Sequence, residues 1–369
     1  MMRSLYSIER TIASSLDLQM VLDFTLQEAM HHLKVDASCV YLIDSSSSVL
    51  HYKAGLGFLH PEAIPVRLRL GNGKLDSVVM ERKQLFIADL RKEPLASFLP
   101  LVKQEQFQSL LAIPLEAKGK TQGALIVFHR SPLHPSADLN EFLTNIGGQL
   151  AIAIDNIGMF EELNRSHLEL TMAYDTTIEG WAQALELRDQ ETEGHARRVA
   201  DLTVRLARAL DVPAEQLVHI RRGAILHDIG KMGIPDQILL KPGPLTMEER
   251  EIMKKHPIYA RQLLLPIKYL HPAIDIPYCH HERWDGSGYP QGLKGEQIPL
   301  AARIFAVIDV WDALISDRPY RAAWPQEKAL NYIREQAGHH FDPRVVEKFL
   351  ELLLEELGEP KQVSNLDRN

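Results

Sequence analysis

Histidines and carboxylates recur together in the second half of the chain, at spacings that suit a metal centre. Glu191 and His195 are four residues apart, so on a helix both side chains would lie on one face. His227 and Asp228 are adjacent, at the end of an apolar stretch. The remaining candidate ligands are His256, His280, His281 and Asp309. Asp309 lies in an apolar helical stretch, where an ionised carboxylate is costly unless it is paired.

These residue types fit the hydrolysis of a phosphodiester. At neutral pH this reaction needs a strong nucleophile and neutralisation of the phosphate charge, and two metal ions about 3.5–4 Å apart can supply both. A bridging carboxylate and several imidazoles can hold such a pair. The donors are nitrogen and oxygen with no thiolate, which favours iron or manganese and does not exclude zinc.

Other histidines lack carboxylate or glycine neighbours of this kind. The pairs His31-His32 and His339-His340 are therefore interpreted as surface or helix-end residues. Cys279 adjoins His280, but a small buried apolar role suits it better than a ligand role.

The first part of the chain must fold separately from these residues. Apolar spacing predicts helix from about 4 to 34. Turn residues then separate β-rich segments, which predict an α+β domain with an antiparallel sheet. The predicted strands are 38–43, 49–54, 85–87, 110–115 and 123–128, and the last two flank a hairpin turn at 118–120.

A long helical pattern runs from 140 to about 188. It favours a connector helix that pairs with its copy in a parallel homodimer. The alternative is two ordinary helices with a break near 164–166. Beyond Gly180 the pattern is helical to the end, apart from loops rich in glycine and proline at 233–244 and 284–299.

Bulk composition narrows the class of protein. A length of 369 residues favours two domains, and a net charge of -8 argues against a nucleic acid polymer as partner. Two distant cysteines suit a reducing compartment. The sequence has neither a signal-peptide pattern nor an apolar run of about 18 residues, so we expect no membrane span and a cytoplasmic location.

Three motifs together resemble the HD-GYP family of cyclic di-GMP phosphodiesterases: HDIGK at 227–231, HHERWDGSGYP at 280–290 and DVWDALISDRPYR at 309–321. The resemblance covers roughly Thr176 to Leu357. It implies an all-α HD-type domain that hydrolyses cyclic di-GMP to pGpG, and to GMP with a third metal. Two other interpretations stay open: a phosphohydrolase for another cyclic dinucleotide or nucleotide, and a protein-interaction module.

The resemblance also implies roles for individual residues. Asp228 would bridge two metals and act in catalysis, with His195, His227 and Asp309 completing one metal site. The other metal site would contain His256, His280 and His281, and Glu191 matches a glutamate associated with a third metal. Lys231 would contact a scissile phosphate, unless it simply faces solvent. The further substrate contacts implied are Arg318, Arg321, Tyr289 and Asp312; for the last two, a buried-polar or loop-packing role is an equal alternative.

The first domain resembles a GAF domain, a sensory fold with a six-stranded antiparallel sheet. The segments that carry this resemblance are 70–90 and 110–128. It implies a regulatory domain that can bind a small molecule. The predicted boundaries are 1–158 for the GAF-like domain, 159–180 for the helical connector and 181–369 for the HD-GYP domain.

Overall fold

The structure is a computed structural model that describes residues 17–44, 48–71, 73–189, 194–317 and 322–357. The chain divides into two compact units, with the division after Leu168. Among the described residues, no helix combines the length and apolar character needed to cross a bilayer.

The first unit is an antiparallel sheet with helices on its faces. The sheet has the order β3-β2-β1-β6-β5-β4, and all five neighbouring pairs are antiparallel. Its strands are β1 (Ala37–Ile43), β2 (Val49–Leu56), β3 (Arg67–Arg69), β4 (Leu85–Ile87), β5 (Ser109–Ala117) and β6 (Lys120–His129). Its helices are α1 (Leu18–Leu33), α2 (Asp76–Met80), α3 (Leu99–Glu105) and the first part of α4 (Ala137–Asp189).

Alternation along the strands produces two apolar faces. On β6, Leu125 and Val127 belong to the core shared with α1 and α4, whereas Ile126 and Phe128 belong to the core shared with α2 and α3. This is the period of two that a strand imposes on its side chains. Both faces of the sheet are therefore covered.

The predicted strands are all present, and β3 is a short addition. The turn between β5 and β6 is formed by Lys118 and Gly119, which both have positive φ, as a two-residue type I′ hairpin requires. The predicted first helix is confirmed over Leu18–Leu33, where the Asp17 side chain caps its start. The predicted part before residue 17 lies outside the described residues.

Helix α4 is continuous over 53 residues, so the alternative of a break near 164–166 is wrong. Its first part packs in the core of the first unit, and Ile178, Ala182 and Leu185 are buried in the second. Between these parts, residues 158–170 are all exposed.

The second unit is helical. Its core is centred on α11, in which Ile304, Phe305, Val307 and Ile308 are fully buried. The helices that follow α4 are α5 (His195–Ala209), α6 (Ala214–Ile225), α7 (Asp236–Leu239), α8 (Met247–Met253), α9 (His256–Leu264), α10 (Asp275–Cys279), α11 (Leu300–Ile315), α12 (Gln326–Glu335) and α13 (Pro343–Leu357). The prediction of a loop over 233–244 is wrong for Asp236–Leu239, which form the single helical turn α7.

Candidate metal centre

One group of potential ligands contains Asp228, His256, His280 and His281. Each offers an atom within 4.8 Å of the others. Asp228 Oδ1 lies 3.3 Å from His256 Nε2 and 3.8 Å from His280 Nε2. Three imidazoles and a carboxylate thus converge on one point, with the composition of a divalent metal site.

A second group contains His195, His227 and Asp309, also within 4.8 Å of one another. His195 Nε2 lies 3.6 Å from Asp309 Oδ1. The other oxygen of Asp228, Oδ2, is 3.1 Å from His227 Nε2. Asp228 therefore directs one carboxylate oxygen toward each group, which is the arrangement that a bridging ligand needs.

The imidazole rings are oriented by acceptors behind them. The Nδ1 atoms of His227, His256 and His280 lie 2.8–3.1 Å from the carbonyl oxygens of Ala224, Met253 and Ile276. Because a carbonyl oxygen can only accept, each Nδ1 carries the proton and donates it. In the neutral tautomer, each Nε2 lone pair then points into the site, as metal ligation requires.

Helix ends and one glycine bring the ligands together. His195 begins α5, His256 begins α9, and Asp228 lies in the turn that follows α6. A Cβ at Gly230 would lie 1.8 Å from the carbonyl oxygen of His256. Only glycine permits this approach, which holds the turn after Asp228 against the start of α9.

The site is shielded from water on one side by Phe305. Its ring centroid lies 4.8 Å from that of His227 and 5.9 Å from that of His280. Burial lowers the pKa values of His256 and His280, and it lowers that of His281 to about 3. These three imidazoles are therefore neutral at pH 7 and can donate a lone pair.

His227 and Asp228 behave differently because they carry opposite charge. Burial opposes protonation of His227, but Asp228 and then Asp309 outweigh it and raise its pKa to about 9. Burial likewise opposes ionisation of Asp228, but Lys231 and His227 hold its pKa well below the usual range. Metal binding at His227 must then displace a proton, so it strengthens as pH rises toward 9.

Lys231 is part of this site and does not face solvent. Its Nζ lies 2.8 Å from Asp228 Oδ2 and 3.0 Å from Asp189 Oδ2. The side chain is 15% exposed. A cation is thus held beside the carboxylate that the two ligand groups share.

Asp312 lies behind His195. Its Oδ2 accepts a hydrogen bond from His195 Nδ1 at 2.7 Å, and its Oδ1 accepts one from Arg198 at 3.2 Å. These contacts correspond to the buried polar role that the sequence left open. Its role as a substrate contact stays a prediction.

Tyr289 packs against the first ligand group. Its ring lies 4.8 Å from that of His281 at an angle of 30°. The loop that carries it folds back closely, since a Cβ at Gly288 would lie 2.4 Å from the backbone nitrogen of Arg283. The buried Glu282 closes this loop by accepting hydrogen bonds from the backbone of Gln291 and Leu293.

Three predicted site residues, Glu191, Arg318 and Arg321, lie outside the described residues. Four other residues were missed: Asp189, Phe305, Glu282 and Arg198 support the site without being candidate ligands. Glu282 directly follows the histidine pair, and Asp189 lies two residues before Glu191. Their position beside a motif was the available signal for Glu282 and Asp189. The sequence does not show, however, that either residue contacts a residue of the site.

Comparison with known proteins identifies both units. Residues 15–155 match the GAF domain family, and residues 180–345 match the HD domain family. The cyclic di-GMP phosphodiesterase response regulator RpfG of Xanthomonas campestris pv. campestris is 46% identical over 47% of this chain and 47% of its own length. A cyclic di-GMP phosphodiesterase of Vibrio cholerae is 34% identical over 84% of this chain and 63% of its own. A 3′3′-cGAMP-specific phosphodiesterase 2 of Vibrio cholerae is 38% identical over 58% of this chain and 39% of its own.

The chain therefore combines an N-terminal GAF domain with a C-terminal HD domain. These two matches and the Gly288-Tyr289-Pro290 motif agree with the resemblance of the sequence to the HD-GYP family. It spans between about two fifths and just under two thirds of the length of the three relatives.

The position of Asp228 between the two ligand groups predicts the effect of Asp228→Asn. Loss of the carboxylate charge should weaken both ligand groups, so the content of bound Mn²⁺ should fall to less than half of the wild-type value. Metal analysis of the reconstituted protein measures this. Asp275→Asn makes the same chemical change at an exposed position and should leave the metal content unchanged. Wild-type metal content in Asp228→Asn would contradict a bridging role.

The hydrogen bond behind His195 predicts the effect of Asp312→Ala. Without its acceptor the imidazole loses its fixed orientation, so metal affinity should fall about ten- to hundredfold. Titration of the metal-free protein with Mn²⁺ measures the change. Ser316→Ala is the matched control, because that hydroxyl donates to Asp312 Oδ2 at 3.5 Å from the residue directly after the same helix. An equal loss in both variants would argue against orientation of His195.

Proposed function

We propose that this protein hydrolyses cyclic di-GMP to linear pGpG and, in a second cleavage, to GMP. The observation that carries the proposal is the placement of Asp228 between two ligand groups, with one oxygen directed at each. Two of the relatives described above are named as phosphodiesterases of this substrate, which supports the choice of ligand.

The donor set fits a pair of divalent cations, with His195, His227 and Asp309 holding one and His256, His280 and His281 the other. When bound, such cations supply a nucleophile derived from water at neutral pH and neutralise phosphate charge. We infer iron or manganese, because every donor in both groups is nitrogen or oxygen. Glu191 would add a third ion.

The chain's own residues would orient the substrate. Lys231 places an ammonium beside Asp228, where it can hold a phosphate oxygen and offset the charge that develops on it. Tyr289 lies over His281 and offers a ring to a guanine base. Arg318 and Arg321 are proposed contacts for phosphate and guanine, with Asp312 as a further candidate.

Turnover tests the proposal directly. Protein loaded anaerobically with Fe²⁺ or Mn²⁺ should convert cyclic di-GMP to pGpG, and Lys231→Met should lower kcat/KM about a hundredfold because an electrostatic contact is lost. Lys328→Met is the control, since that lysine lies over Trp324, away from the ligand groups. Chromatography of the products measures both. Absence of turnover while two metals are bound would remove the substrate assignment.

A second candidate substrate is 3′,3′-cyclic GMP-AMP. One relative is named as specific for it, and its match covers 58% of this chain at 38% identity. A panel of cyclic dinucleotides compared by kcat/KM separates the two substrates. A protein-interaction module is the remaining alternative, and it requires the cellular phenotype to survive combined His227→Ala and Asp228→Ala.

We further propose that the GAF domain regulates hydrolysis through α4, within a parallel homodimer. Exposed apolar residues recur on α4 at alternating spacings of three and four, with His167 and Thr177 at the intervening positions. The apolar members are Phe160, Leu163, Leu170, Tyr174 and Trp181, which we term the α4 stripe. Leu163 is 67% exposed and Leu170 53% exposed in the single chain, so a second copy would cover substantial apolar surface.

The proposed domain limits are 1–158, 159–180 and 181–369, which places the division after Leu168 inside the connector. A small molecule in the GAF domain is the proposed input. A cytoplasmic location is proposed from the two free, buried cysteines, which suit a reducing compartment.

The α4 stripe predicts the oligomeric state. Light scattering should give twice 41.8 kDa for the wild-type chain and a single chain mass for Leu163→Glu/Leu170→Glu, because burying two carboxylates in the interface is costly. Leu168→Glu/Met172→Glu alters two exposed apolar residues on other faces of the same helix and should remain dimeric. A monomeric wild-type chain would contradict the proposal.

A further inference from the structure

The last turn of α4 contacts the two segments that carry the candidate metal ligands His195 and Asp228. Glu186 accepts hydrogen bonds from the backbone of Gly194 and Ala196, on either side of His195. Arg188 donates to the carbonyl oxygens of Lys231, Met232 and Ile234. The end of α4 is therefore attached both to the start of α5 and to the turn that follows Asp228.

Asp189, the final residue of α4, makes the contact nearest to the ligands. Its Oδ2 lies 3.0 Å from Lys231 Nζ, and the same Nζ lies 2.8 Å from Asp228 Oδ2. The Asp189 side chain is 4% exposed. One ammonium is thus shared by two carboxylates, of which only Asp228 belongs to a ligand group.

This sharing bears on metal binding, because Lys231 competes with a cation for Asp228. Oδ2 is the oxygen that faces His227, and it would have to accept a metal while Lys231 lies 2.8 Å away. Asp189 offsets the lysine charge and attracts the same ammonium at 3.0 Å. Without Asp189, Lys231 would pair with Asp228 more strongly and oppose metal entry.

We propose that Asp189 is a positioning residue that holds Lys231 partly away from Asp228 and thereby sets the metal affinity of the centre. The proposal rests on the metal centre assigned under the proposed function. Since Asp189 ends the same unbroken helix that begins in the GAF domain, the last turn of α4 is the point at which a change in that helix would reach the metal ligands.

A double-mutant cycle tests this inference on the full-length, metal-free protein. Mn²⁺ affinity is measured by calorimetric titration for the wild type, Asp189→Asn, Lys231→Met and the double variant. Asp189→Asn should weaken binding about tenfold, as loss of an outer partner of a ligand does. Lys231→Met should strengthen binding, and adding Asp189→Asn to it should change the affinity less than about twofold.

The same cycle can overturn the inference. An unchanged affinity in Asp189→Asn would do so, and so would a tenfold loss that persists in the Lys231→Met background, because Asp189 would then act without Lys231. Circular dichroism checks folding, and Lys231→Gln replaces Lys231→Met if that variant does not fold.

A matched control distinguishes a specific effect of Asp189 from a general destabilisation of α4. Glu179 also lies on α4 and forms ion pairs with Arg197 and Arg221. Glu179→Gln removes these ion pairs and should leave Mn²⁺ affinity unchanged. No substrate enters the measurement. If the loaded wild type fails to cleave cyclic di-GMP while the cycle holds, the proposed function fails and the role of Asp189 stands.

Discussion

The metal centre of the second domain depends on how the partly buried Asp228 carboxylate is kept ionised. A lone carboxylate among apolar side chains would take up a proton, since burial penalises its charge. Here Lys231 and the protonated imidazole of His227, whose pKa is raised, supply positive charge beside Oδ2 of this carboxylate. Both are groups that a metal ion can replace or offset. Ion pairs with Lys231 and His227 thus keep Asp228 negatively charged, as a bound divalent cation would.

Around that carboxylate, backbone carbonyl groups fix the imidazoles. His227, His256 and His280 each direct Nδ1 at a carbonyl oxygen three or four residues earlier, so local helical geometry selects the tautomer. His195 uses Asp312 instead, a side chain from α11. The imidazoles are therefore oriented in two ways: three rings by carbonyl oxygens of their own segments, and the His195 ring by tertiary packing.

A single helix, α4, connects the two domains. Helix α4 is unbroken over 53 residues, and its last turn holds segments on both sides of the metal centre. Farther back along this helix, Asp175 pairs with the buried Arg222 at 2.7 Å. The end of α4 is thus attached to the second unit at several points, and the regulation proposed above would act through these contacts.

The sequence by itself determined the ligand types, the order of the motifs and the period of each element. The alternation in β6 and the apolar spacing in α4 depend only on local geometry, so the strands and the long helix could be predicted. Motif spacing likewise indicated His227, Asp228 and the His280-His281 pair. Only the tertiary structure decided which oxygen of Asp228 faces which group, that Lys231 points inward, and that Asp312 supports His195 from 117 positions away. The reason is that these contacts join segments distant in the chain, whose approach is set by packing around α11 and by the close contact at Gly230.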